Sequence, residues 1–175
     1  MMRETTLGAE YNMNAELEAY FAAARNAPVP LQSESEQRRQ ERADFPRRFL
    51  EKVDSALKPI LDSTAATLQK HGYGATVELV REQTGADPNT FPFIILHFSP
   101  QHCPPGDMGY IYTLGGASVS FICRRHDLCV EAVVAYPAGR GVERRVNFST
   151  LSLEDLTPQR VTRIVTDAVK QIVRL

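Results

Sequence analysis

The stretch Ala117–Tyr136, ASVSFICRRHDLCVEAVVAY, decides the fold of this 175-residue chain. Two runs rich in apolar and β-branched residues, Ala117–Cys123 and Leu128–Tyr136, lie on either side of a short polar segment around Arg125-His126. Strand-length runs joined by a few turn residues predict a β-hairpin. Three more strands are predicted outside this hairpin, at Ala75–Gln83, Phe91–Phe98 and Val142–Phe148.

A long amphipathic helix is predicted before the strands. Ser33, with Glu36 three residues later, forms a capping box that predicts the start of the helix. Asp44-Phe45-Pro46 predicts an interruption or a restart, because proline suits the first turn of a helix. Beyond it, apolar residues recur at helical spacing as far as Leu68. Pro59 lies within this stripe and is expected to kink the helix or to split it in two.

A second amphipathic helix ends the chain, with Thr157 as the predicted N-cap and Pro158 as the first helical residue. Short turns between successive strands favour an antiparallel meander, since parallel neighbours need crossovers of about a dozen residues or more. The predicted fold class is α+β, with two layers. A four- to five-stranded antiparallel meander sheet packs against a long N-terminal helix and a C-terminal helix, and residues 33–175 form this single domain.

Residues 1–32 are predicted to be an N-terminal arm with a short amphipathic helix, whose apolar face includes Leu17, Tyr20 and Phe21. A lone helix of this length is marginal in water, so we expect it to dock on its own domain or on a partner. Both long helices can cover one face of the sheet. The other face is expected to need a second layer if its side chains are apolar and uncovered, and those expected there include Ile94, Leu96, Phe98 and Ile122.

Composition narrows the classes of partner. The chain has 20 lysines and arginines and 21 aspartates and glutamates, so its formal net charge is −1. This balance produces no long-range attraction to nucleic acid or to anionic membranes. Three cysteines, an odd number, favour free thiols in a reducing compartment, and the first residues lack the apolar core of a signal peptide. We expect a cytoplasmic protein without a membrane partner.

A metal site is one alternative that the cysteines raise. Cys123, His126 and Cys129 are residue types that bind zinc, but their spacing is irregular. With a two-residue loop at Arg125-His126, Cys123 and Cys129 point to opposite faces of the hairpin, whereas with a three-residue loop they are directly opposite each other. Buried cysteines acting as small apolar residues are the favoured interpretation. The sequence predicts no metal and no cofactor.

Two further sites are weighed as alternatives. His97, His102 and Cys103 lie at or near the proline- and glycine-rich segment 99–109, where a small-ligand or hydrolase-type site is conceivable, although no family motif surrounds this cysteine. Arginines at two predicted turns are candidates for binding an anion or nucleic acid, provided that both turns lie at one end of the sheet. These arginines are Arg124, Arg125, Arg144 and Arg145.

The favoured hypothesis is a non-enzymatic protein–protein interaction module, either a homo-oligomer or a component of a larger assembly. It depends on the apolar arm helix, on the apolar strand Phe91–Phe98 and on the lack of a catalytic motif. Aromatic residues do not alternate with the arginines as they do in many single-strand-binding proteins, so nucleic acid is disfavoured as a partner. The expected partner is a second copy of the chain or another protein.

Overall fold

The computed structural model describes residues 13–26, 31–81, 91–102, 116–138 and 143–173. Contacts divide the chain into two units, Met1–Gln37 and Arg38–Leu175. The helices are α1 (Met13–Asn26), α2 (Leu31–Lys52), a π-helical turn (Val53–Leu57), α3 (Lys58–Lys70) and α4 (Pro158–Ile172). The strands are β1 (Tyr73–Val80), β2 (Phe93–His102), β3 (Ala117–Arg124), β4 (Cys129–Pro137) and β5 (Glu143–Leu151).

The five strands form one sheet in the order β1-β2-β3-β4-β5, and every neighbouring pair is antiparallel. This is the meander that the short predicted turns favour, and the α+β fold class is confirmed. The first and last strands are the edges of the sheet. Strand β2 continues to His102, four residues beyond its predicted end, because it pairs with Tyr73 there.

Helices cover one face of the sheet and form the core with it. The side chains of this face come from every second residue of the central strands, including Leu96, Val119 and Val134, all of which are buried. They pack in one cluster with residues of the N-terminal helices, such as Phe49 and Leu61, and with residues of α4. Burial on this scale supplies most of the driving force for folding.

Pro59 divides the long helix as predicted, and the division takes the form of a π-helical turn. The backbone N–H of Lys58 bonds to the carbonyl of Val53, five residues back rather than four. Pro59 then lies in the first turn of α3, where its missing N–H costs little. The apolar stripe stays on the sheet side, since Val53, Leu57 and Leu61 are all buried.

The predicted restart at Asp44-Phe45-Pro46 is wrong. Helix α2 begins at Leu31, two residues before the predicted cap Ser33, and runs without a break to Lys52 with Pro46 inside it. The carbonyl that Pro46 leaves without its helical partner is that of Arg42, four residues earlier. It accepts a hydrogen bond of 3.0 Å from Nε of Arg125 instead.

The C-terminal helix begins where the sequence places it. Thr157 is the N-cap and its side chain accepts a bond from the backbone N–H of Arg160 at 3.4 Å, with Pro158 following. The turn before it is held by Asp155, whose carboxylate accepts bonds from the N–H and the hydroxyl of Ser152 at 3.1 and 2.9 Å. None of the described helices is long and apolar enough to cross a membrane.

Candidate functional site

The second face of the sheet carries the side chains that alternate with the buried ones. On the central strands it includes Phe93 and Ile95 of β2, Ile122 of β3 and Val133 of β4, all partly exposed. Phe93 is paired with Ile122, while Ile95 and Val133 are both paired with the small Ser120 between them. These four apolar residues therefore form one contiguous patch, called the apolar strip below.

Charged side chains flank the apolar strip on the same face. On one side, Oε2 of Glu78 lies 3.5 Å from Nε2 of His97 and links β1 to β2. Near the β3–β4 turn, Nε and Nη2 of Arg124 lie 2.7 and 2.6 Å from Oε2 of Glu131. An apolar centre within a polar rim is the usual anatomy of a protein interface.

The edge strands turn more polar residues toward this face. Thr76 and Glu78 of β1 are paired with outward residues of β2, and Arg145 and Asn147 of β5 are paired with outward residues of β4. An antiparallel sheet with one wet face should be polar across that whole face. Phe93, Ile95, Ile122 and Val133 of the central strands depart from that rule. Other outward residues of the same strands follow it: His97, Ser118, Ser120 and Arg124.

The face predicted for three residues of β2 is wrong. Ile94, Leu96 and Phe98 were grouped with Ile122 on the uncovered side, but all three are fully buried on the helix side. The pairing of Ile94 with Phe121 and of Phe93 with Ile122 fixes this alternation. In a continuous apolar run, hydropathy alone does not show whether the odd or the even positions face the helices. The register with the neighbouring strands decides this.

The sequence predicts none of the four residues of the apolar strip as a binding residue, and it places only Ile122 on the uncovered face. Phe93 and Ile95 lay within a run interpreted as buried on both faces, and Val133 lay within the predicted hairpin. The outward residues of β4 are Glu131, Val133 and Ala135. A strand with one solvated face alternates apolar and polar residues, and Val133 and Ala135 depart from that alternation. This departure is the signal in the sequence for an apolar outward surface.

The arm residues lie on α1 as predicted. Leu17, Tyr20 and Phe21 are 47%, 68% and 57% exposed. The rings of Tyr20 and Phe21 make an edge-to-face contact with centroids 5.7 Å apart. Large exposed apolar side chains grouped on one helix form a second apolar surface.

The four candidate arginines do not meet. Arg124 is paired with Cys129 at the start of β4, and Arg144 is paired with Tyr136 at the end of the same strand. Seven residues of extended chain separate these positions by about 24 Å. Arg125 bonds to the backbone of α2, and Nε of Arg145 lies 2.9 Å from Glu143. The condition for a single anion-binding rim, two turns at one end of the sheet, is not met.

The β3–β4 turn has four residues, 125–128, so neither of the loop lengths considered from the sequence occurs. Cys123 is paired with Val130 in the core, whereas Cys129 is paired with Arg124 on the second face. The two sulfur atoms therefore belong to opposite faces. Burial raises the pKa of the Cys123 thiol to about 12, and burial also raises the pKa of Cys129.

The residues of the ligand-site alternative are also separated. His97 lies on the second face beside Glu78, while His102 lies on the helix side with its ring 4.6 Å from that of Tyr73. Cys103 and most of segment 99–109 lie outside the described residues. Among the residues that are described, no group of three or more histidine, cysteine or acidic side chains is placed to hold a metal ion.

Comparisons with protein-family models, with curated proteins and with solved structures found no match to this chain.

Proposed function

We propose that this protein is a non-enzymatic protein–protein interaction module that forms a homodimer through the second face of its sheet. The observation that supports this most is the apolar strip. Phe93, Ile95, Ile122 and Val133 are contiguous and partly exposed on a face whose margins are polar. Two sheets that pack face to face bury such surfaces in a layer about 10 Å thick.

The arrangement of charge favours a second copy as the partner. Glu78 lies on β1 at one margin of the face, and Arg145 lies on β5 at the other. A dimer interface with two-fold symmetry must be complementary to itself. A two-fold axis parallel to β3 lays β1 of one copy over β5 of the other. The apolar strips then meet, and Glu78 of each copy lies over Asn147 of its partner, two residues along β5 from Arg145.

The first test is light scattering of the full chain across a wide concentration range. The wild-type protein is expected to be dimeric, and Ile95→Lys is expected to weaken self-association at least about tenfold, because the interface would have to bury a charged side chain in place of an apolar one. Thr166→Lys is the matched control: it adds the same charge at an exposed residue of α4, away from the second face of the sheet. A wild-type protein that stays monomeric overturns the proposal.

A charge exchange tests the symmetry. Glu78→Arg and Arg145→Glu are each expected to weaken the dimer, since each brings like charges close to one another across the interface. The double variant is expected to recover most of the lost affinity. If the double variant is weaker than both single variants, the two-fold arrangement is wrong.

The arm helix provides the competing location for an interface. If Phe21→Glu separates the dimer and Ile95→Lys does not, the contact is made by α1 and the assignment to the sheet is wrong. If Phe21→Glu leaves the dimer intact, the sheet assignment is supported.

A further inference from the structure

Strand β3 has a special position in the proposed dimer. It is the middle strand of the sheet, with two strands on either side. A two-fold axis that runs parallel to β3 and lays β1 over β5 therefore passes directly above β3. Each outward residue of β3 then lies opposite the same residue of the second copy. These outward residues are Ser118, Ser120, Ile122 and Arg124.

Arg124 is the charged residue of this set. An arginine next to a two-fold axis faces a second arginine, and two like charges that are brought together away from water repel each other. Such a contact is favourable only if carboxylates lie beside the two guanidinium groups and offset their charge.

Glu131 provides the carboxylate within each copy. Nε and Nη2 of Arg124 lie 2.7 and 2.6 Å from Oε2 of Glu131, which is on the neighbouring strand β4. A guanidinium has several N–H donors and a carboxylate has a second oxygen, so this pair leaves both groups able to make further bonds. Both side chains also keep an exposed part on the second face.

The symmetry places the carboxylate of the second copy as well. Glu131 lies one strand to one side of β3, level with Ile122, so Glu131 of the second copy lies one strand to the other side at the same level. Each Arg124 thus has a glutamate on either side. Glu131 itself lies over Phe93 of the second copy, whose ring offers its second oxygen no hydrogen bond.

We infer that Arg124 and Glu131 of the two copies form a closed ring of alternating charges on the two-fold axis, and that this ring makes the second face specific for a second copy of the chain. The inference rests on the proposed homodimer. An apolar strip by itself fits many apolar surfaces, whereas a partner without an acid at this point would take water from Arg124 and offer nothing in return.

Light scattering of variants over a range of concentrations tests the ring. Glu131→Gln is expected to weaken self-association at least about tenfold, because the two Arg124 side chains then meet without carboxylates beside them. Glu154→Gln is the matched control: it makes the same change in a pair with Arg48 of α2, in the helix layer. If the two variants associate equally well, the inference is overturned.

A double variant separates the ring from a general loss of stability. Arg124→Gln combined with Glu131→Gln removes both charges, so like charges no longer meet. It is expected to associate several-fold more tightly than Glu131→Gln alone, although it lacks the pair within each copy. A double variant that associates no more tightly than Glu131→Gln contradicts the ring. Circular dichroism checks that each variant is folded.

Cross-linking distinguishes a wrong ring from a wrong dimer. In a Cys103→Ser, Cys129→Ser variant, Ser118→Cys places a thiol next to the axis, and a short bis-maleimide is expected to join the two copies there. Asn147→Cys is the comparison, because the β5 strands of the two copies lie about 19 Å apart across the strands and are not expected to be joined.

The outcomes of this experiment differ for the two ideas. Cross-linking through Ser118→Cys, together with no effect of Glu131→Gln, overturns the ring and leaves the dimer. A dimer without that cross-link has its axis elsewhere, which also overturns the ring. A wild-type protein that stays monomeric overturns the dimer and the ring together.

Discussion

Nε of Arg125, in the β3–β4 turn, donates a hydrogen bond of 3.0 Å to the backbone carbonyl of Arg42 in the middle of α2. Four residues after Arg42 the helix contains Pro46, which has no N–H to offer this carbonyl. A side chain from the sheet thus replaces the missing helical bond. The contact explains how α2 continues through a proline, and it ties the β3–β4 turn to the helix layer.

This relationship predicts a coupling between Arg125 and Pro46. Arg125→Ala is expected to destabilise the protein by about 1 kcal/mol, because the carbonyl of Arg42 loses its protein partner. In a Pro46→Ala background the helix supplies its own N–H, so the same Arg125→Ala change is expected to cost less. Urea unfolding of the four proteins gives the coupling energy. Additive effects would mean that Arg125 does not compensate for Pro46.

The two arginine–glutamate pairs of the sheet should differ in their contribution to stability. Arg124 and Glu131 are only 31% and 24% exposed, whereas Arg145 and Glu143 are 75% and 51% exposed. Arg124→Ala is expected to cost about 1–2 kcal/mol, because it leaves a mostly buried carboxylate without its partner. Arg145→Ala is expected to cost less than about 0.5 kcal/mol.

Both measurements are best made by urea unfolding in an Ile95→Lys background, so that self-association does not contribute. Equal losses for the two arginines would contradict the prediction.

Asp155 predicts an acid-dependent part of the stability. The backbone N–H of Ser152, and then its hydroxyl, lower the pKa of this carboxyl below its usual range, with Arg160 adding to the effect. Because the pKa of Asp155 is lower in the folded than in the unfolded chain, its carboxylate stabilises the fold at pH values above the ordinary aspartate pKa of about 4. This stabilisation is lost as the pH falls through the folded-state pKa. Asp155→Asn should therefore lower the unfolding free energy at neutral pH and lower it much less in acid.

This prediction is checked by measuring the urea midpoints of unfolding at about pH 7 and about pH 3, which lie above and below the ordinary aspartate pKa. Ser152→Ala, which removes one of the two donors, is expected to show a smaller loss with the same pH dependence. A difference between wild type and Asp155→Asn that is unchanged in acid would contradict the assignment.

Cys123 is predicted to be an inert thiol. Burial raises its pKa to about 12, so it stays protonated at pH values where an exposed cysteine, with a pKa of about 8.5, is largely ionised. Thiolates rather than thiols are the reactive species. In a Cys103→Ser, Cys129→Ser variant, the remaining thiol should resist iodoacetamide at about pH 9 and react at once in denaturant.

The same shift has a consequence for stability in base. Burial raises the folded-state pKa of Cys123 above its pKa in the unfolded chain. The contribution of this thiol to the free energy of unfolding is therefore complete at pH values below the unfolded-state pKa, and it is lost as the pH rises toward about 12. Adding Cys123→Ala to the Cys103→Ser, Cys129→Ser variant should thus flatten the decline of its stability in strong base. Rapid labelling of Cys123 in the native protein would show that the β3–β4 hairpin opens readily.

The elements that the sequence predicts best are those whose signals are local. Thr157 and Pro158 mark the start of α4 within one turn, because a cap needs only the next few residues. Antiparallel pairing of β3 with β4 and of β4 with β5 follows from connections of four and five residues, which leave no other geometry within reach. The connections on either side of β2 have 12 and 14 residues, so for β1–β2 and β2–β3 length alone does not decide the direction. Pro59 divides the helix because the lost N–H and the ring clash are properties of proline itself.

The predictions that failed depend on partners far away in sequence. Pro46 has the local signature of a helix start, but Arg125, more than seventy residues later, satisfies the carbonyl that it leaves open. The positions of Cys123 and Cys129 depend on a turn of four residues, and adding or removing one residue would move one strand's side chains to the opposite face.

The amino-acid sequence by itself determined the order and type of the elements, because hydropathy period, caps and turn residues act over a few neighbours. Only the tertiary structure decided which residues of the central strands point away from the helices, and hence that Phe93, Ile95, Ile122 and Val133 form one apolar surface. The physical reason is that a strand has a period of two residues. Every side chain takes its face from the register with neighbouring strands, and that register is set by contacts across the whole sheet.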